Sequence, residues 1–147
     1  MQALIGRYEH GLDEKNRLFV PSRYREQLAA EGGKHFFLAV GVDKCVSIFL
    51  PSQWEAFLTE LKAYKFKTVA EKRATMLRFF SCAKEVCPDE QGRIVVPAEL
   101  KEHAGLRKEA LIVGMGTRAE IWDQTSFEKK ETQAHKVFDK VASDLDL

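Results

Sequence analysis

The sequence has no segment that could cross a membrane, because no apolar run in its 147 residues approaches the required ~20. Its first ten residues, MQALIGRYEH, also lack the apolar stretch of a secretory signal peptide. With 45% hydrophobic and 31% charged residues, the composition is that of a folded globular protein rather than a disordered tail. We therefore expect a soluble, cytoplasmic protein with no membrane partner.

Cysteine is scarce, and no CxxC pair occurs. The three cysteines, an odd number, are Cys45, Cys82 and Cys87. The four histidines are scattered, without the paired spacing of zinc ligands. These absences predict free thiols in a reducing compartment, with no metal site and no cofactor.

The motifs of common enzyme classes are absent too: the sequence has no GxSxG, Walker-type loop, HExxH or paired-acid constellation. We therefore predict that the protein is not an enzyme. Charge of one sign is not in excess, since 23 Lys and Arg face 22 Asp and Glu. This balance neither requires nor excludes a nucleic-acid partner, because binding depends on how charge is distributed. RNA is the less favoured partner, because neither an RNP-type aromatic motif nor a GXXG loop occurs.

The sequence does contain an internal repeat. Residues 13–29 read DEKNRLFVPSRYREQLA, and residues 89–105 read DEQGRIVVPAELKEHAG, 76 positions later. After a three-residue deletion the match resumes, with LAVG at 38–41 answering LIVG at 111–114. The identical pairs in the first match are Asp13/Asp89, Glu14/Glu90, Arg17/Arg93, Val20/Val96, Pro21/Pro97 and Glu26/Glu102. The chain is therefore predicted to contain two copies of one structural unit.

Each copy predicts the same order of elements. In the first copy, a strand at 5–12 and a strand at 17–20 form a β-hairpin whose turn includes Asn16. The second copy has Gly92 at the position of Asn16, and both residue types adopt a positive φ readily. Pro21 and Pro97 suit the first turn of a short helix. Two strands follow, at 36–40 and 46–50 or at 110–113 and 119–122. A second helix then begins with an S/T-x-x-E capping box at 52–55 or 125–128.

One copy is too small to bury a sufficient core alone, so the two should complete one another. We predict a pseudo-two-fold arrangement in which the hairpins interleave and the two D-x-x-x-R turns project from equivalent positions. The predicted divisions are a first repeat at 5–52, a helical connector at 53–80, a second repeat at 81–124 and a C-terminal helix at 125–147.

The stretches DEKNRLFVPSRYREQL, DEQGRIVVPAELKEHAGL and LIVGMGTRAEIWD resemble the MraZ family of bacterial transcriptional regulators. Each half also resembles the swapped-hairpin DNA-binding domain of AbrB-like transition-state regulators. The resemblance implies an α+β fold of tandem swapped-hairpin β-barrel repeats with flanking helices. It further implies a nucleoid-associated, ring-like homo-oligomer that binds short direct repeats in double-stranded DNA upstream of its own division and cell-wall cluster. The family usually has glycine where Asn16 stands, and asparagine tolerates the same turn.

Arg17 and Arg93 are the principal candidates for DNA contact. Their planar donor forks suit phosphate and the guanine edge. In the simpler alternative each arginine pairs with Asp13 or Asp89 across its turn and only fastens it. The spacing is compatible with both roles, since the aspartate could orient the arginine.

The two halves are not equally basic. Residues 1–73 hold 12 Lys and Arg against 9 Asp and Glu, whereas residues 74–147 hold 11 against 13. Lys15 at the first turn would contact phosphate, while Gln91 at the second could read a base or be solvated. Three further candidates for the basic patch, which could equally be solvated surface residues, are Arg7, Arg23 and Arg25.

Two further features leave alternatives open. The basic segment 62–78 is either a solvated helical connector or a contact to DNA or another subunit. The aromatic residues Trp54, Phe79, Phe80 and Trp122 are expected in the core or between subunits. As an alternative function, the same hairpin fold could serve as an antitoxin-like protein-interaction module with no operator binding.

Overall fold

The computed structural model describes residues 3–147, in which eight short strands and five helices form a mixed α+β fold. The strands are β1 (Arg7–Glu9), β2 (Arg17–Phe19), β3 (Phe36–Gly41), β4 (Cys45–Phe49), β5 (Lys84–Val86), β6 (Arg93–Val95), β7 (Ala110–Gly114) and β8 (Ala119–Asp123). The helices are α1 (Ser22–Ala30), α2 (Pro51–Ala63), α3 (Val69–Cys82), α4 (Ala98–Ala104) and α5 (Gln124–Ala142). None of these helices is long and apolar enough to span a bilayer.

The two repeats exchange strands. One antiparallel sheet has the order β1-β7-β8-β4-β3-β5, and a separate two-stranded ribbon consists of β2 and β6. In the large sheet β1 of the first repeat pairs with β7 of the second, and β5 of the second pairs with β3 of the first. Strand pairing therefore follows the predicted pseudo-two-fold arrangement, in which each repeat completes the other.

The predicted β-barrel is not closed. The large sheet begins at β1 and ends at β5, and no ladder among residues 3–147 joins these two edge strands. Each edge strand has only three residues, and the chain beyond it enters the ribbon instead of continuing along the sheet. Both sheets are therefore open.

The simple hairpin predicted for 5–12 and 17–20 is also wrong, because β1 and β2 lie in different sheets. Within each repeat two backbone hydrogen bonds close the turn. In the first, Asp13 N–H donates to the Arg17 carbonyl and Asn16 N–H to the Asp13 carbonyl, both at 3.0 Å; in the second, the matching bonds of Asp89 and Gly92 are 2.8 and 2.9 Å long. Beyond the turn, β2 pairs with β6 of the other repeat rather than with β1. The cross-repeat ribbon takes the hydrogen bonds that a local hairpin would have used.

Burial of apolar side chains on the inner side of the ribbon explains why β2 pairs with β6 instead of with β1. Leu18 and Ile94 lie opposite each other in the ribbon and are both buried. They join one core cluster with residues of both repeats and of α1 and α4. The i, i+4 spacing of apolar residues in these two helices predicts an inward face, and its four members are buried: Tyr24, Leu28, Leu100 and Ala104. A strand that pairs across the repeats buries more apolar surface than either repeat could alone.

Two helices begin earlier than predicted, and at the first of them a glutamine takes the place of the expected serine cap. Helix α2 begins at Pro51, and the Gln53 side chain accepts a hydrogen bond from Leu50 N–H at 3.0 Å. The Ser52 hydroxyl, expected to cap this helix, instead bonds Glu31. Helix α5 likewise begins at Gln124, one residue before the predicted cap. Pro21 and Pro97 precede the first helical residue rather than occupying it.

The aromatic residues divide between core and surface. Trp54 is buried in a second cluster, stacked between Phe37 and Phe79 with ring centroids 4.8 and 5.4 Å away. Trp122 is buried in a third cluster. Phe80, in contrast, is 45% exposed in the single chain, so it is not a core residue, and its burial between subunits stays a prediction.

Candidate nucleic-acid interface

The first turn is built around one carboxylate. Asp13 Oδ1 accepts hydrogen bonds from the backbone N–H of Lys15 at 2.9 Å and of Arg17 at 2.8 Å. Its Oδ2 accepts from Nε of Arg17 at 2.7 Å. Asn16 has a φ of 60°, the left-handed conformation that its position in the repeat predicts. The aspartate thus folds the turn and fixes the arginine at its end.

The second turn repeats this pattern. Asp89 Oδ1 accepts from the backbone N–H groups of Gln91 and Arg93, both at 2.9 Å, and Oδ2 accepts from Nε of Arg93 at 2.9 Å. Gly92 has a φ of 84°. The two turns therefore share one hydrogen-bond pattern, although their side chains differ.

Both aspartates are held in their ionised form. The backbone N–H of Arg17 lowers the pKa of Asp13, and the guanidinium of Arg17 adds to this effect against a smaller opposing contribution from burial. Arg93 lowers the pKa of Asp89 in the same way. At neutral pH each turn therefore carries a carboxylate that binds and orients its arginine.

Each arginine uses only part of its donor fork within the protein. The aspartates take Nε, and no described residue accepts a hydrogen bond from Nη1 or Nη2 of Arg17 or Arg93. The side chains are 29% and 21% exposed. Each aspartate therefore does fasten its arginine across the turn. This contact leaves two donor atoms of each guanidinium, Nη1 and Nη2, for a ligand.

The ribbon of β2 and β6 carries both arginines on one side. Its register places Arg17 opposite Val95 and Phe19 opposite Arg93, with the buried pair of Leu18 and Ile94 between them. Because successive strand residues point to opposite sides, the surface side consists of four residues, here called the ribbon face: Arg17, Phe19, Arg93 and Val95. Phe19 is 43% and Val95 54% exposed.

Sequence reasoning missed the two apolar members of the ribbon face. The alternation around buried Leu18 and Ile94 could have identified them, because it predicts that Phe19 and Val95 share the side of the arginines. The two are equivalent positions in the repeats but differ in their surroundings. The guanidinium carbon of Arg93 lies 6.0 Å from the centroid of the Phe19 ring, and the His10 ring lies 5.7 Å from it.

Each turn is also contacted by a basic residue of the other repeat. Lys101 Nζ donates to Asn16 Oδ1 at 2.8 Å. The equivalent contact at the second turn is Arg25, whose Nε donates to the Val20 carbonyl at 3.1 Å. A Cβ atom at Gly92 would lie 2.6 Å from the guanidinium carbon of Arg25, so glycine leaves the space that this side chain occupies.

The remaining candidates are not all brought to the turns. Lys15 and Gln91 are exposed at the two tips. Arg23 lies on α1, where it pairs with Glu26 at 3.7 Å. Arg7 lies on β1 in the other sheet, where it pairs with Glu131 at 3.0 Å and its guanidinium covers the Phe127 ring at 4.8 Å. Of the three additional arginines, Arg25 is therefore the one in contact with a turn.

The described chain offers little to a metal ion. Within residues 3–147 no group of three or more histidine, cysteine, aspartate or glutamate side chains is arranged to hold one. The three cysteines are free thiols. Burial raises the pKa of the Cys45 thiol, and the nearby Glu120 adds to that effect.

A family model described as "MraZ protein, putative antitoxin-like" matches the chain twice, over residues 3–77 and 79–147. These matches fall on the two repeats. The chain belongs to the MraZ family. The resemblance carried by the paired D-x-x-x-R motifs is therefore confirmed.

Curated relatives match nearly the full length. Proteins named "Transcriptional regulator MraZ" from Alkaliphilus oremlandii, Heliobacterium modesticaldum and Pelotomaculum thermopropionicum are 40%, 41% and 39% identical to this chain over 141 residues. Each alignment covers 96% of this chain and 94–95% of the relative. The similarity therefore includes both turns and the ribbon.

Proposed function

We propose that this chain is a transcriptional regulator that binds double-stranded DNA with the ribbon face. One observation carries the proposal: at both turns an aspartate holds Nε of the arginine and leaves Nη1 and Nη2 without an acceptor in residues 3–147. The names of the curated relatives support regulation as the biological role.

The shape of the site suits the major groove, which admits a two-stranded β-ribbon. Two guanidinium groups on such a ribbon can each donate two hydrogen bonds to O6 and N7 of guanine. Because Asp13 and Asp89 already restrain the arginines, less side-chain entropy is lost on binding. In this proposal the aspartates are positioning residues and the arginines read bases.

The basic residues around the turns would supply contacts to phosphate. Lys15 lies at the first tip, and Lys101 and Arg25 contact the first and second turns from the opposite repeat. Such contacts position a protein on the duplex without selecting sequence. Gln91 leaves the second tip uncharged, and Arg25 partly compensates for it.

We further propose that the operator consists of short direct repeats upstream of the protein's own division and cell-wall cluster, and that the protein acts at the nucleoid as a ring-like homo-oligomer. Exposed apolar residues on α3 and α5 support the oligomer: Leu77, Phe80, Val137, Phe138 and Val141. A contact between unlike surfaces that closes on itself forms a ring. Multi-angle light scattering should give a mass larger than that of a dimer, and a monomeric mass at micromolar concentration would contradict the ring.

The experiment that tests the function is a mobility-shift titration with the DNA upstream of the coding sequence. A scrambled fragment of equal length and composition is the control, and both are titrated over a salt series. The proposal expects tighter binding of the upstream fragment at every salt concentration and a decrease of affinity with salt. Equal binding of both fragments would contradict sequence-specific recognition.

The family description also includes the words "putative antitoxin-like", which favours one alternative function. In that alternative the chain binds a protein partner rather than an operator. It predicts no shift of the upstream fragment together with a protein complex whose stability depends little on salt. The same titration therefore separates the two functions.

A further inference from the structure

The ribbon face contains two exposed apolar side chains beside its arginines. Phe19 and Val95 occupy equivalent positions of the two repeats and are 43% and 54% exposed. Neither is needed for the core, because Leu18 and Ile94 fill the inner side of the same strands. Together they form a small apolar patch bordered by two arginines, and an exposed apolar patch with a polar rim is typical of a binding surface.

The neighbouring charges indicate what kind of ligand this is. Any partner that covers Phe19 and Val95 also covers the unpaired Nη atoms of Arg17 and Arg93, and burying these donors without acceptors is unfavourable. The ligand must therefore present hydrogen-bond acceptors next to apolar groups. The major groove of DNA does so, with O6 and N7 of guanine as acceptors and the C5-methyl group of thymine as the apolar group.

We propose that Phe19 and Val95 are specificity-determining residues that contact thymine methyl groups, an inference that rests on the DNA-binding function proposed above. Residues two apart on a strand are separated by about 6.6 Å, or about two base-pair steps of roughly 3.4 Å. Each half of the ribbon thus reads a guanine with its arginine and a thymine about two base pairs away with its apolar residue.

The two contacts differ in size. Phe19 presents a ring that Arg93 and His10 flank, whereas Val95 presents two methyl groups opposite Arg17. The larger ring covers more of a thymine methyl group, so discrimination is stronger on the Phe19 side. The operator should consequently require thymine more strictly in one half of each recognition unit than in the other.

The test removes only the methyl groups from the DNA. The upstream fragment is prepared with thymine or with uracil throughout, and binding of the full-length protein to both is measured by fluorescence anisotropy. Wild-type protein should bind the uracil fragment more weakly, by about fourfold for each contacted methyl group. Single thymine-to-uracil replacements then locate the contacts.

Protein variants assign the effect to residues. Phe19→Ala should lose most of the thymine preference, Phe19→Leu should retain part of it, and Val95→Ala should lose a smaller part. Val42→Ala removes the same atoms as Val95→Ala from a residue that is 78% exposed outside the ribbon, and it should keep the full preference. Thermal midpoint and oligomeric mass serve as controls for folding.

Three results would overturn the inference. Equal binding of thymine and uracil fragments by wild-type protein would do so while leaving DNA binding itself intact. An undiminished thymine preference in the Phe19→Ala/Val95→Ala variant, or a changed oligomeric mass with that preference intact, would assign the two residues to another surface. Failure of wild-type protein to bind the thymine fragment would overturn both this inference and the proposed function.

Discussion

The two turns have the same backbone but carry different side chains. Asp13 and Asp89 make matching sets of three hydrogen bonds, and both turns use a residue of positive φ. Around this common frame the equivalent pairs differ: Lys15 and Gln91, Asn16 and Gly92, Phe19 and Val95, Arg25 and Lys101. The aspartate therefore fixes the geometry of each turn, while the other positions vary and make the two halves chemically unequal.

The difference between Asn16 and Gly92 follows from the opposite repeat. Lys101 ends in an ammonium that reaches the Asn16 amide, whereas Arg25 ends in a planar guanidinium that fills the space beside Gly92. Each turn residue is therefore matched to a basic side chain of the other repeat, Asn16 to Lys101 and Gly92 to Arg25, rather than to its own neighbours in the chain. The hydrogen bond from Lys101 thus explains why asparagine stands at position 16, where the family usually has glycine.

The largest expected effect is the loss of DNA affinity when either arginine of the ribbon face is removed. Arg17→Ala should weaken binding of the upstream fragment by about 1–3 kcal/mol, and Arg93→Ala should act in the same direction but less, because Gln91 adds no charge at the second tip. Lost guanine contacts should relax base preference, whereas lost phosphate contacts should weaken all sequences alike. Titrations with each variant measure the difference. A stronger effect of Arg93→Ala would reverse the ranking of the two halves.

The length of the DNA should change this effect. If a ring presents several copies to tandem repeats, the loss recurs at each one, and the deficit should be larger on multi-repeat DNA than on a one-repeat probe. Equal losses of affinity on both probes would show that binding is not multivalent.

The next effect concerns stability. Gly92→Asn should lower the free energy of unfolding by about 1–2 kcal/mol, because the new side chain displaces Arg25 and its hydrogen bond to the Val20 carbonyl. Adding Arg25→Lys recreates the pair found at the first turn and should recover part of the loss. Chemical denaturation of the two single variants and the double variant measures this coupling. Additive effects would show that the two positions are independent.

The converse substitution should be milder. Asn16→Gly loses the hydrogen bond from Lys101 but removes the strain of a non-glycine residue at positive φ. The free energy of unfolding of this variant should therefore remain within about 1 kcal/mol of wild type. Asn16→Val should be clearly less stable, since a β-branched residue is strained there. Equal thermal midpoints for the glycine and valine variants would contradict the turn geometry.

A smaller effect is expected from charge at the tips. Lys15→Gln should weaken binding of specific and scrambled DNA alike and lower the salt slope by about one, while Gln91→Lys should raise it by about one. The first variant has glutamine at both tips, and the second has lysine at both. An unchanged slope in both variants would exclude phosphate contact at these positions.

The smallest effect is one that the two turns should share. The pKa values of Asp13 and Asp89 are lowered in the folded protein, so their contribution to stability is complete above the ordinary value of 3.8 and is lost as the pH falls through the folded values. Thermal midpoints measured from pH 5 to pH 2 should decrease, with a smaller decrease in Asp13→Asn and in Asp89→Asn. Asp123, held by Arg107, contributes in the same direction and remains in both variants.

The sequence predicted features that depend on nearby residues. The aspartate, the arginine four positions later and the positive-φ residue between them all lie within one short turn, so their hydrogen bonds can be inferred from spacing. The inward faces of α1 and α4 were predictable for the same reason, since helical periodicity identifies Tyr24 and Leu28.

Features that depend on distant residues were predicted only in outline: the internal repeat indicated that the two halves complete one another, but not which strands pair or which side chains meet. Pairing of β2 with β6 brings together residues about 76 positions apart, such as Leu18 and Ile94, and it replaced the expected local hairpin because these two residues bury each other. The contact between Lys101 and Asn16 spans 85 positions. At α2 a glutamine side chain competed with the expected serine cap, which shows that a capping motif does not exclude neighbouring polar residues.

Whether the ribbon face binds DNA is best tested by comparing two double variants with wild type. Arg17→Ala/Arg93→Ala removes both arginines of the ribbon face, while Lys136→Ala/Lys140→Ala removes the same charge from exposed positions on α5. Affinity for the upstream fragment is measured by anisotropy, with oligomeric mass and thermal midpoint determined for each protein. We expect a loss of affinity of about thirtyfold or more for the arginine variant and little change for the lysine variant. Equal losses in the two variants, or full affinity without the arginines, would contradict DNA binding by the ribbon face.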